Sequence, residues 1–329
     1  MKKSNISATG MSRRNFFKAV GAGGASLLLP GAARAESGVE LATLLDLSKC
    51  IGCGACVDAC RESNHAKFPE PEKPFPDMVP ASRAKPEDWS DKRDVDDRLT
   101  PYNWLYIQTA EGTWNGEEYE INIPRRCMHC RNAPCANLCP FGAAARETNG
   151  IVRIYDQICF GGAKCRAVCP WHIPQRQSGV GLYRHVLPRL AGNGVMYKCD
   201  RCYQLVEQGQ LPACIEACPE DVQQIGPREE MLEKAYALAR EMDGYVYGDK
   251  ENGGTNTFYV SPVPFEELDA AVQKGRGRPH LSPAGDVMKD ETNLAVATVI
   301  APVAGIAAGV LGLGARLAGN GKKEGDHED

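Results

Sequence analysis

The sequence predicts an α+β protein with a β-hairpin insertion and a C-terminal transmembrane helix. Four cysteine groups repeat within residues 50–218, and such internal repeats mark a chain built from related structural units. Segments 104–108 and 119–123 alternate apolar and polar residues and flank a stretch with two glycines, which is typical of a hairpin. Residues 294–315 contain no charged side chain, and as a helix they would extend about 33 Å, close to the thickness of a bilayer core.

The fifteen cysteines form three groups of four and one group of three. The groups are Cys50, Cys53, Cys56 and Cys60; Cys127, Cys130, Cys135 and Cys139; Cys159, Cys165 and Cys169; and Cys199, Cys202, Cys214 and Cys218. The third group matches the spacing of the first except at one position, where Gly162 stands in place of a cysteine. The pattern therefore corresponds to four groups of four thiols, with one thiol missing from the third group.

This spacing indicates four iron–sulfur clusters and therefore electron transfer. Iron in a sulfide cluster prefers soft thiolate ligands, and a cubane takes one thiolate for each iron. Proline follows Cys139, Cys169 and Cys218, and a Cys-Pro pair is common at the fourth ligand, where proline ends the short helix.

Three other interpretations of the cysteines are weaker. Disulfides suit an exported chain, but an odd number of cysteines in this tight spacing is not a disulfide framework. Structural zinc accounts for a C-x2-C pair but not for a third cysteine followed by Cys-Pro. Redox-active C-x-x-C chemistry does not need four groups.

The N-terminal residues 1–35 are predicted to be a twin-arginine signal peptide. Arg13 and Arg14 lie between a serine and a Phe-Phe-Lys run, a weakly apolar segment follows, and an A-x-A pattern ends at Ala35. This route carries folded cargo, which suits a protein whose clusters are inserted in the cytoplasm. We therefore expect the protein on the periplasmic side of the inner membrane.

The predicted transmembrane helix covers residues 293–317 and leaves a cytoplasmic tail, 318–329. Basic residues follow the apolar stretch, as the positive-inside rule prefers for this orientation. Gly305 and Gly309 form a G-x-x-x-G pattern that suits packing against a membrane helix of a partner.

Between these ends, residues 36–226 are predicted to form the cluster domain, with an insertion at 61–126, and residues 227–292 an extension and linker. The extension contains a predicted amphipathic helix at 227–242, a loop and a final strand within 253–263, and a linker to the membrane segment at 274–289. The chain has 38 basic and 42 acidic residues. Because all six basic residues of the signal are lost on cleavage, the mature chain is more acidic still and is not a candidate for binding nucleic acid.

The arrangement resembles the four-cluster electron-transfer subunits of molybdopterin oxidoreductases (the DMSO reductase-type β subunits) and of membrane-bound nickel–iron hydrogenases. The resemblance covers roughly residues 40–226 and depends on the cysteine groups, on Cys-Asp-Arg-Cys at 199–202 and on the run at 211–219. It implies tandem ferredoxin-like halves, each of the bacterial 2[4Fe-4S] type. It also implies a periplasmic catalytic partner and a polytopic quinone-binding membrane partner.

The resemblance further implies that the outer groups pair with each other and the inner groups pair with each other. The implied ligand sets are Cys50, Cys53, Cys56 and Cys218; Cys199, Cys202, Cys214 and Cys60; Cys127, Cys130, Cys135 and Cys169; and Cys159 and Cys165 with Cys139. The chain departs from the family pattern at Gly162, and another member with a noncysteine residue there holds a three-iron cluster. Three [4Fe-4S] clusters and one [3Fe-4S] cluster, or a fourth [4Fe-4S] cluster, are therefore expected.

No catalytic residues stand out, so we expect a noncatalytic subunit rather than an enzyme. His172 lies beside the inner cysteines and is a candidate to donate a hydrogen bond to a cluster sulfur. The leading hypothesis is a relay between a periplasmic catalytic subunit and a quinone-reactive membrane subunit. The first candidate for the catalytic subunit is a nickel–iron hydrogenase. A β subunit of formate dehydrogenase or of a menaquinone reductase complex is the first alternative, and a stand-alone periplasmic ferredoxin is another. A cluster-based sensor is weaker because the chain lacks a DNA-binding element.

Overall fold

The computed structural model describes residues 39–79, 85–186, 189 and 194–289. The predicted signal peptide, transmembrane helix and cytoplasmic tail lie outside these residues. Within the described ranges, no helix is both long enough and apolar enough to cross a membrane.

The described chain contains both helices and strands, and its two-stranded sheets are antiparallel, in agreement with the α+β prediction. The helices are α1 (Ala55–Asn64), α2 (Pro134–Asn137), α3 (Lys164–Ala167), α4 (Tyr183–Val186), α5 (Tyr203–Glu207), α6 (Ala213–Glu216), α7 (Arg228–Glu241) and α8 (Phe265–Ala271). The strands are β1 (Leu41–Asp46), β2 (Tyr106–Trp114), β3 (Glu117–Arg125), β4 (Ala144–Arg146), β5 (Val152–Ile154), β6 (Gln175–Ser178), β7 (Gly194–Tyr197), β8 (Gln223–Pro227), β9 (Tyr245–Tyr247) and β10 (Thr257–Ser261).

A four-stranded sheet in the order β8-β1-β10-β9 supports the cysteine-rich body. Strand β1 is antiparallel to β8 and parallel to β10. Because strand side chains alternate between faces, β1 presents Leu44 to helix α7 while Leu45 packs into the main core. Helix α7 returns Met231, Ala235 and Ala239 to the sheet, a spacing of four residues that keeps one helical face apolar.

The predicted hairpin is present, with longer strands and a shorter turn than the sequence suggested. Strands β2 and β3 pair along nine residues each, and only Asn115 and Gly116 separate them. Both turn residues have positive φ, 52° and 85°, as the type I′ turn requires. Residues 110–117, expected to be a loop, therefore belong mostly to the strands because this tight turn lets pairing continue to the hairpin end.

The predicted linker 274–289 packs against the body of the protein, which its glycines and prolines did not indicate. The Leu281 side chain is fully buried in the main core, and its backbone N–H donates to Asp269 Oδ1 at 2.6 Å. Gly277 also accepts a backbone hydrogen bond from Leu99. The segment is held to the body by apolar burial and by backbone pairing, neither of which its composition reveals.

Candidate electron-transfer centres

Two cavities are each lined by four cysteines that lie far apart in the sequence. The first, site 1, is lined by Cys50, Cys53, Cys56 and Cys218. The second, site 2, is lined by Cys60, Cys199, Cys202 and Cys214. Both sets combine the first and last groups of the chain, as the resemblance implied for the outer pair.

Helix α1 connects these two sites. Cys56 and Cys60 lie one helical turn apart on α1, yet Cys56 lines site 1 and Cys60 lines site 2. A C-x2-C-x2-C loop before the helix supplies the remaining cysteines from this part of the chain. A single rigid element therefore fixes the position of one site relative to the other.

The inner cysteines gather into two further sets. Cys130 has Cys169, Cys127 and Cys135 as electrostatic neighbours, and we group these four as site 3. Cys159 has Cys139 as such a neighbour, and Cys165 has both, so we group these three as site 4. The pKa of Cys169 is raised to about 12, first by burial and then by its electrostatic neighbours Cys135 and Cys127. Burial also raises the pKa of Cys165, with contributions from Cys135 of site 3 and from Cys159 and Cys139.

The four sites follow one another in a series. Helix α1 connects site 1 to site 2, and Cys199 of site 2 has Cys127 of site 3 as an electrostatic neighbour. Cys165 of site 4 has Cys135 of site 3 as its first thiol neighbour. At the two ends, Cys53 of site 1 and Gly162 beside site 4 are solvent-exposed.

A repeated backbone feature supplies a hydrogen bond to the first sulfur of each group. The residue two positions after that cysteine has a positive φ in all four groups. Its backbone N–H donates to the sulfur, as in His129 to Cys127 Sγ at 3.4 Å and Arg201 to Cys199 Sγ at 3.3 Å. Gly52 and Gly161 do the same for Cys50 and Cys159. Such donors stabilise a thiolate and orient it for metal.

Glycine is required at Gly52 for a second reason. A Cβ added there would lie 2.9 Å from the Asn122 side chain of strand β3, closer than van der Waals contact permits. The hairpin insertion therefore packs directly against the loop that carries Cys50 and Cys53.

The third cysteine group keeps the backbone of the first although it lacks one thiol. Each loop follows a 3₁₀ turn, at Leu47–Lys49 and at Asp156–Ile158. Each then has a left-handed residue just before its helix, Gly54 before α1 and Ala163 before α3. Gly162 thus occupies the position of Cys53, and a Cβ added to it would meet nothing within 4 Å.

The donor sets fit iron–sulfur clusters. All fifteen cysteines are free of disulfides. Across the described chain, no three His, Cys, Asp or Glu side chains converge closely enough to hold a single metal ion. The thiols of sites 1 and 2 line cavities instead. Burial raises the pKa of Cys56 to about 12, so iron would replace a proton at this thiol when a cluster binds.

Two histidines occupy different environments from each other. His129 is buried, and its Nδ1 accepts a hydrogen bond from the Val152 N–H at 3.0 Å. His172 was a candidate to bond a sulfur, but it is exposed and its Nδ1 lies 3.1 Å from the Arg166 carbonyl oxygen. The Nδ1 of His172 is therefore placed against a backbone carbonyl oxygen and not against a cysteine sulfur.

Arg126 is a site residue that the sequence reasoning missed. It is buried, it lines the cavity of site 2, and its Nη1 donates to Cys214 Sγ at 3.1 Å. The sequence does carry a signal for it: a basic residue directly precedes the first cysteine in three of the four groups, namely Lys49, Arg126 and Lys198.

Comparisons with known proteins place the chain among multi-cluster proteins. Two models described as "4Fe-4S dicluster domain" match residues 49–143 and 119–228. "Hydrogenase-2 operon protein HybA" of Escherichia coli O157:H7 is 31% identical, covering 79% of this chain and 83% of the relative. The formate dehydrogenase, nitrate-inducible, iron-sulfur subunit of E. coli K12 is 30% identical, covering 88% and 90%. The probable anaerobic dimethyl sulfoxide reductase chain YnfG of E. coli K12 is 28% identical, covering 59% and 77%.

Proposed function

Because this chain belongs to the family of multi-cluster iron–sulfur electron-transfer subunits of oxidoreductase complexes, we propose that it relays electrons between a periplasmic catalytic subunit and a quinone-reactive membrane subunit. The observation that supports this role is the series of four cysteine sites with an exposed position at each end. The cysteine thiolates of each site would hold a cluster, and the clusters would supply one-electron transfer between neighbouring sites.

We assign the ligands by the cavities and thiol neighbours described above. Sites 1, 2 and 3 would each hold a [4Fe-4S] cluster with four cysteines, and site 4 a [3Fe-4S] cluster with three. When bound, each cluster supplies the one-electron redox chemistry. The chain's own residues hold the thiolates, donate backbone hydrogen bonds to them and exclude water from the middle sites.

The exposed ends suit contact with partner proteins. Ile51 beside Cys53 is 62% exposed, and Phe141, two residues after Cys139, is 55% exposed. Exposed apolar side chains beside a redox site favour a protein interface that brings the next centre close. We propose that the chain itself is noncatalytic, on its similarity to the iron-sulfur subunit of a formate dehydrogenase.

We propose a nickel–iron hydrogenase as the catalytic partner, on the similarity to a hydrogenase-2 operon protein. The similarity to a formate dehydrogenase subunit makes a molybdopterin enzyme, or a menaquinone reductase complex, the second candidate. We also propose export by the twin-arginine route and anchoring by residues 293–317. Under this proposal, replacing Arg13 and Arg14 by lysine retains the protein in the cytoplasm.

Deletion of the gene tests the relay. We expect membranes from the deletion strain to reduce artificial dyes with hydrogen at the wild-type rate but to lose hydrogen-dependent quinone reduction. Formate-dependent quinone reduction is measured on the same membranes. Its loss would indicate a formate dehydrogenase as the catalytic partner in place of a hydrogenase. Full hydrogen- and formate-linked quinone reduction without the gene would refute the relay and favour a stand-alone ferredoxin.

A further inference from the structure

Three buried cations lie at the junction between sites 2 and 3, and the described carboxylates form ion pairs with none of them. They are Arg126, Lys198 and Arg201, each at most 6% exposed. We propose, on the premise that the cysteine sites hold clusters, that this cationic junction raises the reduction potentials of the clusters in sites 2 and 3. Arg126 is its principal member because it contacts a ligand sulfur directly.

The hydrogen bonds of Arg126 point to the cluster. Its Nη1 donates to Cys214 Sγ at 3.1 Å and to Gln223 Oε1. Its Nη2 is buried and has no protein partner, although Arg126 lines the cavity of site 2. A buried guanidinium N–H without an acceptor costs free energy, and a cluster sulfide in that cavity would provide the acceptor.

Lys198 and Arg201 are held in place by neutral groups. The Lys198 ammonium donates to the carbonyl oxygens of Val152 and Cys199. The Arg201 guanidinium donates to carbonyl oxygens of Leu41 and Asn256 and to the Thr257 hydroxyl. These partners fix the two positive charges without pairing them with a carboxylate. Asp200 is an electrostatic neighbour of Lys198, but its carboxylate forms its ion pair with Lys67.

The direction of the effect follows from electrostatics. A cluster with four thiolates is anionic, and reduction adds one more negative charge. A fixed cation in a low-dielectric interior stabilises the reduced form more than the oxidised form. Lys198 has thiolates of both sites as neighbours, Cys127 and Cys135 in site 3 and Cys199 in site 2, so its charge reaches both clusters.

Potentiometric titration followed by electron paramagnetic resonance tests the proposal on the full chain in its membrane complex. We expect Arg126→Gln to lower the equilibrium constant for reduction of one cluster at least about tenfold, which is about 59 mV for one electron. Arg126→Lys keeps the charge and should recover part of the shift. Lys198→Met should lower the midpoint potentials of two clusters, those in sites 2 and 3. Arg228→Gln is the matched control, because Arg228 is also buried but is paired with Asp249.

The outcomes separate this proposal from the assignment of clusters. If the variants keep all cluster signals and their midpoints equal those of the wild type, the cationic junction does not set the potentials. If the wild-type protein itself holds no clusters, the proposed function fails instead. If Arg126→Gln does not fold, Lys198→Met still removes one charge of the junction, and unchanged midpoint potentials in that variant would overturn the proposal.

Discussion

Replacing Gly162 by cysteine should convert the three-thiol site into a four-thiol site. The third cysteine group already has the backbone of the first, and the added Cβ meets nothing within 4 Å. Gly162 is exposed and its φ is not in the left-handed region, so the free energy of unfolding should change by no more than about 0.5 kcal/mol. The new Sγ then provides the thiolate that Cys53 provides in site 1.

The measurement is the iron content together with the spectrum of oxidised protein. Wild-type protein should contain about fifteen iron atoms per chain and show a three-iron signal, and Gly162→Cys about sixteen with that signal lost. Gly285→Cys is the matched control: its Cβ also meets open space, but it lies outside the four groups. Sixteen irons and no three-iron signal in the wild type would refute the reasoning, since another group would then complete site 4.

Three further predictions concern the scaffold. The Gly52→Ala variant should lose about four iron atoms, because the added Cβ would lie 2.9 Å from Asn122. The control Gly54→Ala has open space around its Cβ and should keep most of these iron atoms in the same iron assay. Met231→Ala should lower the free energy of unfolding by about 3 kcal/mol in denaturant titration, because Met231 is 2% exposed; the exposed Glu233→Ala serves as the control, and equal effects would contradict the packing. Glu87→Gln should cost about 2 kcal/mol, because Glu87 binds Arg166 and Arg176.

The Glu87 prediction also has a pH dependence. Burial alone would raise the pKa of Glu87, but the hydrogen bond from Arg166 and the charges of Arg176, Arg166 and Arg276 outweigh it and lower that pKa. A lowered carboxyl pKa contributes stability above the unfolded value of about 4.3, and this stability is lost as the pH falls through the folded value. The difference in unfolding free energy between wild type and Glu87→Gln should therefore shrink below about pH 4; a constant difference would contradict the ion-pair account.

Local sequence patterns predicted the elements whose signals are local. The cysteine spacing identified four equivalent groups, and the structure gives them a common backbone with a sulfur-directed N–H. The apolar spacing of 227–242 predicted a helix, and α7 spans Arg228–Glu241. The hairpin was also predicted, but the predicted connection between its strands was too long. The Asn-Gly pair at 115–116 is the local signal for the two-residue turn.

Long-range pairing is what the sequence could not supply. Strand β1 pairs with β10, and Thr43 lies opposite Thr257, more than two hundred residues away in the chain. No feature of residues 41–46 specifies that partner, because register follows from packing on both faces of the completed sheet. The role of Arg126 was missed for the same reason: its partner Cys214 comes from another part of the chain.

Burial differs along the series of cysteine sites, and this difference bears on the proposed relay. Most thiols of sites 2 and 3 are buried, and Arg126, Lys198 and Arg201 lie buried beside them. At the ends of the series, Cys53 of site 1 and Gly162 beside site 4 are exposed. The loop at Gly162 keeps the left-handed residue before its helix although the thiol is absent. Under the proposed relay, a change at Gly162 would therefore alter the ligands of one terminal site and leave the cations between sites 2 and 3 in place.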